Sequence, residues 1–134
     1  MVFGTFDVLH KGHLHFFKQA RKLSKKPFLI VSVARDVNVK RIKKQKPLYN
    51  ERQRLAAVKK TFLADKAVLG SVKNYLVHIL KEKPDIIALG YDQKEYTGGL
   101  KQKLSKLGLQ VKIARLKPHK PHLYKSSLVK KRQK

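Results

Sequence analysis

Along the 134 residues, short apolar runs alternate with stretches whose apolar positions recur at helical spacing. The chain opens on "MVFG", which predicts a short strand. Over residues 12 to 24, Leu14, Phe17, Ala20 and Leu23 fall on one side of a helix. After Pro27, "PFLIVSVA" is continuously apolar and rich in β-branched residues, the composition of a strand buried on both faces. "RDVNVKRIKKQKP" predicts a basic loop or short helix ending at Pro47. Asn50, with Gln53 three residues on, has the form of a capping box and starts a helix through "ERQRLAAVKKTF". "KAVLG" predicts a strand, and Ser71 a cap for "VKNYLVHILKEK", which Pro84 ends. "DIIALG" is the next buried strand, followed by a loop and helix in "EYTGGLKQKLSKLG" stopped by Gly108. "LQVKIARL" is the last strand, and "SSLVKKRQ" predicts a short helix within a basic tail, residues 125–134.

Strand followed by helix, repeated along the chain, predicts an α/β fold: a single doubly wound parallel sheet of about five strands with flanking helices. The length suits one domain, 1–134, and neither a repeat nor a dividing linker interrupts it. Such sheets bind ligands beyond the carboxyl ends of their strands, near the switch in strand order. Three places qualify: the turn from Gly4 to His13, the end of "DIIALG", and the loop before Ser126.

Composition narrows the picture. Hydrophobic residues at 42% exclude a disordered chain. No apolar run approaches the ~18 residues of a membrane span, and the first residues run into a strand rather than a signal peptide. The absence of cysteine removes disulfides and thiolate metal sites, so the expectation is a cytoplasmic protein. Thirty-three Lys and Arg against eight Asp and Glu give a formal charge of +25. After Glu95 there is no acid, while residues 96 to 134 carry twelve Lys and Arg. Such a balance favours phosphorylated metabolites, nucleotides or nucleic acid as partners; a basic proteome or saline cytoplasm gives the same composition.

Candidate chemistry concentrates in "GTFDVLHKGH", where His10 and His13 flank Lys11 and Gly12 at the start of a helix. A helix N-terminus offers free N–H groups and partial positive charge, and so attracts phosphate. Glycine there admits a phosphate close to the backbone, and imidazole N–H groups donate to its oxygens. Such donors count most where charge grows in a transition state. The spacing is neither that of a Walker A loop nor that of a zinc helix. The plain alternative is two surface histidines capping a helix.

"GTFDVLHKGH" resembles the signature of the cytidylyltransferase-like nucleotidyltransferases, an HxGH family with a doubly wound, Rossmann-like fold. "NERQRLAAV", "LGYDQ" and "YKSSLVK" resemble that family's Arg-bearing helix, Gly-x-Asp strand end and C-terminal phosphate-binding turn, in the family's order. The resemblance implies an enzyme that transfers AMP or CMP from ATP or CTP to a phosphate-bearing acceptor, releasing pyrophosphate, with Mg2+ travelling on the triphosphate. It implies His10 and His13 as catalytic residues. Gly4, Thr5, Phe6, Lys11, Gly12, Arg54, Gly90, Asp92, Ser126 and Ser127 would lie along the nucleotide and its phosphates, and Lys44 and Lys46 over the acceptor phosphate. Arg54 is alternatively a solvated helix charge, Lys44 and Lys46 part of the basic background, Asp92 a turn residue and Ser126 or Ser127 an N-cap. Asp7 is expected to orient the turn, with metal ligation through water as the other reading.

Within the family, "ARDVNVKRIKKQKP" and "KAVLGSVKNYLVHILKEKPDIIALGYDQ" look most like archaeal-type FAD synthases, which join FMN to AMP. Glycerol-3-phosphate and phosphoethanolamine cytidylyltransferases share the opening motif. The chain departs from the flavin type in lacking cysteines in "KPHKPHLYKSS" and in placing Tyr91 after Gly90. Tyr91, Tyr96 and Tyr124 are candidates for an aromatic flavin slot. Relatives in that family are often homodimers, and the chain's own sequence leaves its oligomeric state open. From another class, a basic nucleotide- or RNA-binding protein without turnover remains the rival, and weak nonspecific RNA binding is compatible with either.

Overall fold

In the computed structural model of the chain, the described residues are 1–90, 93 and 99–117. In chain order they form β1 (Val2–Gly4), α1 (Lys11–Arg21), β2 (Ile30–Val33), α2 (Asp36–Lys43), α3 (Glu51–Lys60), β3 (Lys66–Leu69), α4 (Tyr75–Glu82), β4 (Ile86–Leu89), α5 (Leu100–Lys106) and β5 (Lys112–Arg115). Every strand pairing is parallel. β1 pairs with β2 and β2 with β3, Val2 facing Val31 and Val31 facing Ala67; β4 pairs with β5, Ile87 facing Ile113.

Two backbone bonds join these ladders: the Met1 nitrogen donates to Ile86 O at 2.8 Å, and Ala88 N–H to Met1 O at 3.0 Å. The single sheet expected from sequence is thus realised as a three-stranded and a two-stranded sheet set side by side, with β1 next to β4 and the overall order β3-β2-β1-β4-β5. The order reverses between β1 and β4, which places the ligand crevice of a doubly wound sheet at their carboxyl ends.

Alternate side chains serve opposite faces of the sheet, so each strand divides between two cores. Val2, Val31, Val33 and Ala88 pack with Phe17 of α1 and Val58 of α3. Phe3, Ile30, Ile87 and Leu89 pack with Ile79 of α4 and Leu100 and Leu104 of α5. Full burial of Phe17 contributes about 1.5–3 kcal/mol and pins α1 to the sheet behind the opening turn. "IVSV" is buried at all four positions, as its apolar run predicts; its Ser32 hydroxyl lies 2.8 Å from His78 Nε2.

The capping box forms as the spacing predicts: Asn50 Oδ1 accepts from Gln53 N–H at 2.8 Å, and Gln53 Oε1 from Asn50 N–H at 2.9 Å. The basic stretch before Pro47 is helical over α2. Two expectations are corrected. Asn74, not Ser71, caps α4, its Oδ1 accepting from Leu76 and Val77, while Ser71 Oγ accepts from Asn74 N–H in the turn before it. Leu23 lies beyond α1, which ends at Arg21, and is 38% exposed. The short helix expected over "SSLVKKRQ" lies outside the described residues. Among the described residues no helix is long and apolar enough to cross a membrane.

Candidate functional site

The turn leaving β1 is wound tightly. A Cβ on Gly4 would lie 2.6 Å from Phe6 Cζ, so only glycine fits beneath that ring. Phe6 itself has φ +53°, a conformation costing a bulky side chain on the order of 1–3 kcal/mol. Its buried ring meets Phe17 edge-on at 5.2 Å and His13 at 5.5 Å, and so backs the second histidine. Asp7 is buried and accepts from Leu48 N–H at 2.6 Å and Tyr49 N–H at 2.8 Å. It ties the turn to the segment entering α3, the orienting role expected of it.

His10 and His13 stand where a Ser and a Glu usually form a capping box. His10 is the N-cap of α1, with Nδ1 accepting from Gly12 N–H at 3.1 Å. His13 occupies the third helical position, and its Nδ1 accepts from His10 N–H at 3.3 Å. A neutral imidazole that accepts through Nδ1 carries its proton on Nε2. Both rings thus become Nε2–H donors fixed by the backbone. Their centroids are 4.0 Å apart and their planes tilted by 31°. Burial pushes the His10 pKa down. Burial first, then the neighbouring His10 and the Lys43 ammonium, lower that of His13 to about 3. The donors are neutral at physiological pH, within a positively charged surround. Lys11, exposed at the first helical position, adds to it.

Arg54 is 1% exposed, not the solvated helix charge of the plain reading. Its guanidinium donates to Thr5 O at 2.8 Å, Tyr49 O at 3.0 Å and Asp36 Oδ1 at 2.6 Å. It therefore bolts the opening turn to the N-termini of α2 and α3. Those two ends cap each other: Glu51 Oε1 accepts from Asp36 N–H at 2.9 Å, and Asp36 Oδ2 from Glu51 N–H at 3.2 Å. Lys44 is the C-cap of α2, and it and Lys46 are exposed in the loop toward Asn50. The residue of that segment whose charge reaches the histidines is Lys43. Sequence reasoning missed Asp36 and Lys43 because neither stands in a motif; an acid opening a helix was the available signal for Asp36. A groove of about 680 Å³ runs between α1 and α3 from His10 and Lys11 down to Lys18 and Lys60.

At the β1–β4 switch point, Gly90 N–H donates to Gln93 Oε1 at 2.8 Å, and Gln93 Nε2 to Phe3 O at 2.6 Å. Arg115, at the end of β5, donates to Gly90 O at 2.7 Å and also to Gln93 O. Neither side chain was singled out from sequence, although Gln93 ends the "LGYDQ" stretch. The structure brings Gly4, Thr5, Phe6, Gly12, His10, His13 and Arg54 together at one turn, with Gly90 at the adjoining strand end. Asp92, Ser126, Ser127, Tyr91, Tyr96 and Tyr124 lie outside the described residues.

Residues 1–132 match the family model described as cytidylyltransferase-like. An FAD synthase of Thermoplasma volcanium is 40% identical over 132 residues, 98% of this chain and 91% of that protein. An FAD synthase of Methanosarcina barkeri is 46% identical over 113 residues, 84% of this chain and 78% of that protein. The crystal structure described as a lipopolysaccharide core biosynthesis protein from Thermoplasma volcanium superposes with a TM-score of 0.81 at 40% identity, covering 89% of this chain and 95% of that one.

Proposed function

The chain belongs to the cytidylyltransferase-like family and is a nucleotidyltransferase, and from that premise we propose that it joins ATP and FMN to make FAD and pyrophosphate. The observation that carries the chemistry is the pair of stacked imidazoles held as neutral Nε2–H donors at the start of α1. The relatives named FAD synthase supply the choice of substrates.

An oxygen of the FMN phosphate attacks the α-phosphorus of ATP. The bond from that phosphorus to the oxygen bridging to the β-phosphate breaks in line, and pyrophosphate leaves. His10 and His13 donate through Nε2–H to the phosphate oxygens on which charge accumulates, aided by the N-terminus of α1 and by Lys11. Neutral donors suit this step, since they need neither lose nor gain a proton during it. Lys44 and Lys46 lie on the loop assigned to the acceptor phosphate. Arg54 positions the turn through Thr5, its guanidinium being occupied by protein oxygens.

A divalent cation would arrive bound to the triphosphate. Among the described residues no three His, Cys, Asp or Glu side chains converge, and both Asp7 carboxylate oxygens already accept backbone N–H bonds. The described residues of this turn do not fit a protein-held metal.

The test is pyrophosphate release with ATP and CTP crossed against FMN, glycerol 3-phosphate and phosphoethanolamine. ATP with FMN is the pairing expected to turn over. Release with CTP and glycerol 3-phosphate alone, or from no pairing with folded protein and Mg2+, overturns the proposal. His10→Asn keeps a capping side chain but removes the Nε2–H donor. The rate should fall about 10²–10³-fold with the melting temperature near that of the parent protein.

A further inference from the structure

Between β1 and β4 the parallel pairing bonds are those of Met1, and beyond it a side chain bridges the two strands. Met1 both donates to Ile86 O and accepts from Ala88 N–H, so it pairs with Ile87. Two residues on, the same register would place Phe3 opposite Leu89, with Gly90 N–H donating to Phe3 O. That bond is replaced by a relay through the Gln93 carboxamide, whose oxygen takes the Gly90 N–H and whose nitrogen serves Phe3 O.

Two bonds of 2.8 and 2.6 Å plus the width of one amide allow Gly90 N and Phe3 O to lie up to roughly 7 Å apart, against about 2.9 Å for a direct bond. The two strands are thus joined here through a side chain rather than by a backbone bond, at the switch point where a doubly wound sheet takes its ligand. The relay is itself held from outside. Arg115 bonds the carbonyls of Gly90 and Gln93, and Gln93 N–H returns to Gly90 O at 3.1 Å, closing the turn.

We propose that Gln93 is a wedge that sets the width of the nucleotide crevice between β1 and β4, with Arg115 as its brace. Both are positioning residues for the nucleoside triphosphate, whatever acceptor follows. The inference rests on the nucleotidyltransferase reading but not on FMN. The chemistry is directional: only a group that accepts on one side and donates on the other completes the relay. Glutamate at this position accepts from Gly90 N–H, but when ionised it meets Phe3 O with a second acceptor; when protonated it donates as glutamine does.

Nucleotide affinity is measured by calorimetry with ATP and CTP, without acceptor, for the parent protein, Gln93→Glu, Gln93→Ala and Arg115→Ala. Gln93→Glu is expected to weaken binding of the parent's preferred nucleotide about tenfold at pH 7.5. Relative to the parent, that loss should shrink as pH falls to 5 and the carboxyl protonates. Gln93→Ala should lose affinity at both pH values, and Arg115→Ala in the same direction at unchanged melting temperature. In steady-state assays KM for the nucleotide rises while KM for the acceptor stays constant, a split that general destabilisation would not give. Hydrogen exchange at Gly90 N–H should quicken in Gln93→Ala and Arg115→Ala. Should Gln93→Glu not fold, the alanine and Arg115 variants decide alone. Parent-like affinity in the folded variants overturns the wedge, as does a parent protein that binds neither nucleotide. A parent that binds nucleotide but does not use FMN overturns the substrate reading and leaves the wedge standing.

Discussion

Replacing His13 by glutamine tests the claim that the second imidazole is held neutral. Glutamine is a normal third-position partner in a capping box and offers an acceptor to His10 N–H, but it has no proton to exchange. In the folded parent the His13 pKa lies at about 3, against 6.5 ordinarily. The unfolded chain therefore binds a proton between those values that the folded chain refuses. Stability contributed by the neutral ring is complete above pH 6.5 and is lost as pH falls toward 3. The slope is about 1.36 kcal/mol per pH unit, so lowering the pH from 7 to 5 removes about 2 kcal/mol through this ring alone. That figure depends on the unfolded value and holds for any folded pKa well below 5. Urea unfolding at both pH values, extrapolated to water, should show the parent losing about 2 kcal/mol more than His13→Gln. His78, also lowered by burial, contributes to both proteins and cancels. Parallel losses, or a His13 ring titrating near 6 by NMR, would refute the neutral-donor assignment.

Gly4→Ala puts a methyl group 2.6 Å from a buried ring. It should cost about 1–3 kcal/mol by thermal or urea unfolding and reduce turnover further by moving Phe6 from behind His13. Arg54→Met leaves Asp36 without its cation and Thr5 O and Tyr49 O without a donor. The expected loss is about 2–4 kcal/mol on chemical denaturation, near the lower end for breaking a buried pair because Asp36 reaches water.

Among the described residues, the acids Asp7, Asp36, Glu51, Asp65 and Glu82 hold structural bonds. Each is engaged with a backbone N–H or a cation of the protein. They leave the turn facing α1 rich in positive charge, and the basic composition acquires a local meaning there.

Local order was legible from sequence because it is written in neighbours. Apolar runs gave the strands, Asn50 with Gln53 gave the start of α3, and the ten residues from Gly4 to His13 marked the turn. Capping and periodicity act over three or four residues, within reach of a linear reading. Where local signals compete, the reading slipped: Ser71 and Asn74 are both cap formers, and in the fold Asn74 takes the cap while Ser71 holds the turn before it. Arg54 could not be told from a solvated charge, because its partners Thr5 and Asp36 lie 49 and 18 residues away. The wedge was beyond reach for the same reason. Gln93 meets Phe3 across 90 residues, and its amide gains that role only once β1 and β4 lie side by side. Sequence singled out the residues proposed to carry the phosphate chemistry; the tertiary structure alone set how β1 meets β4 beside them and the burial that keeps the histidines neutral.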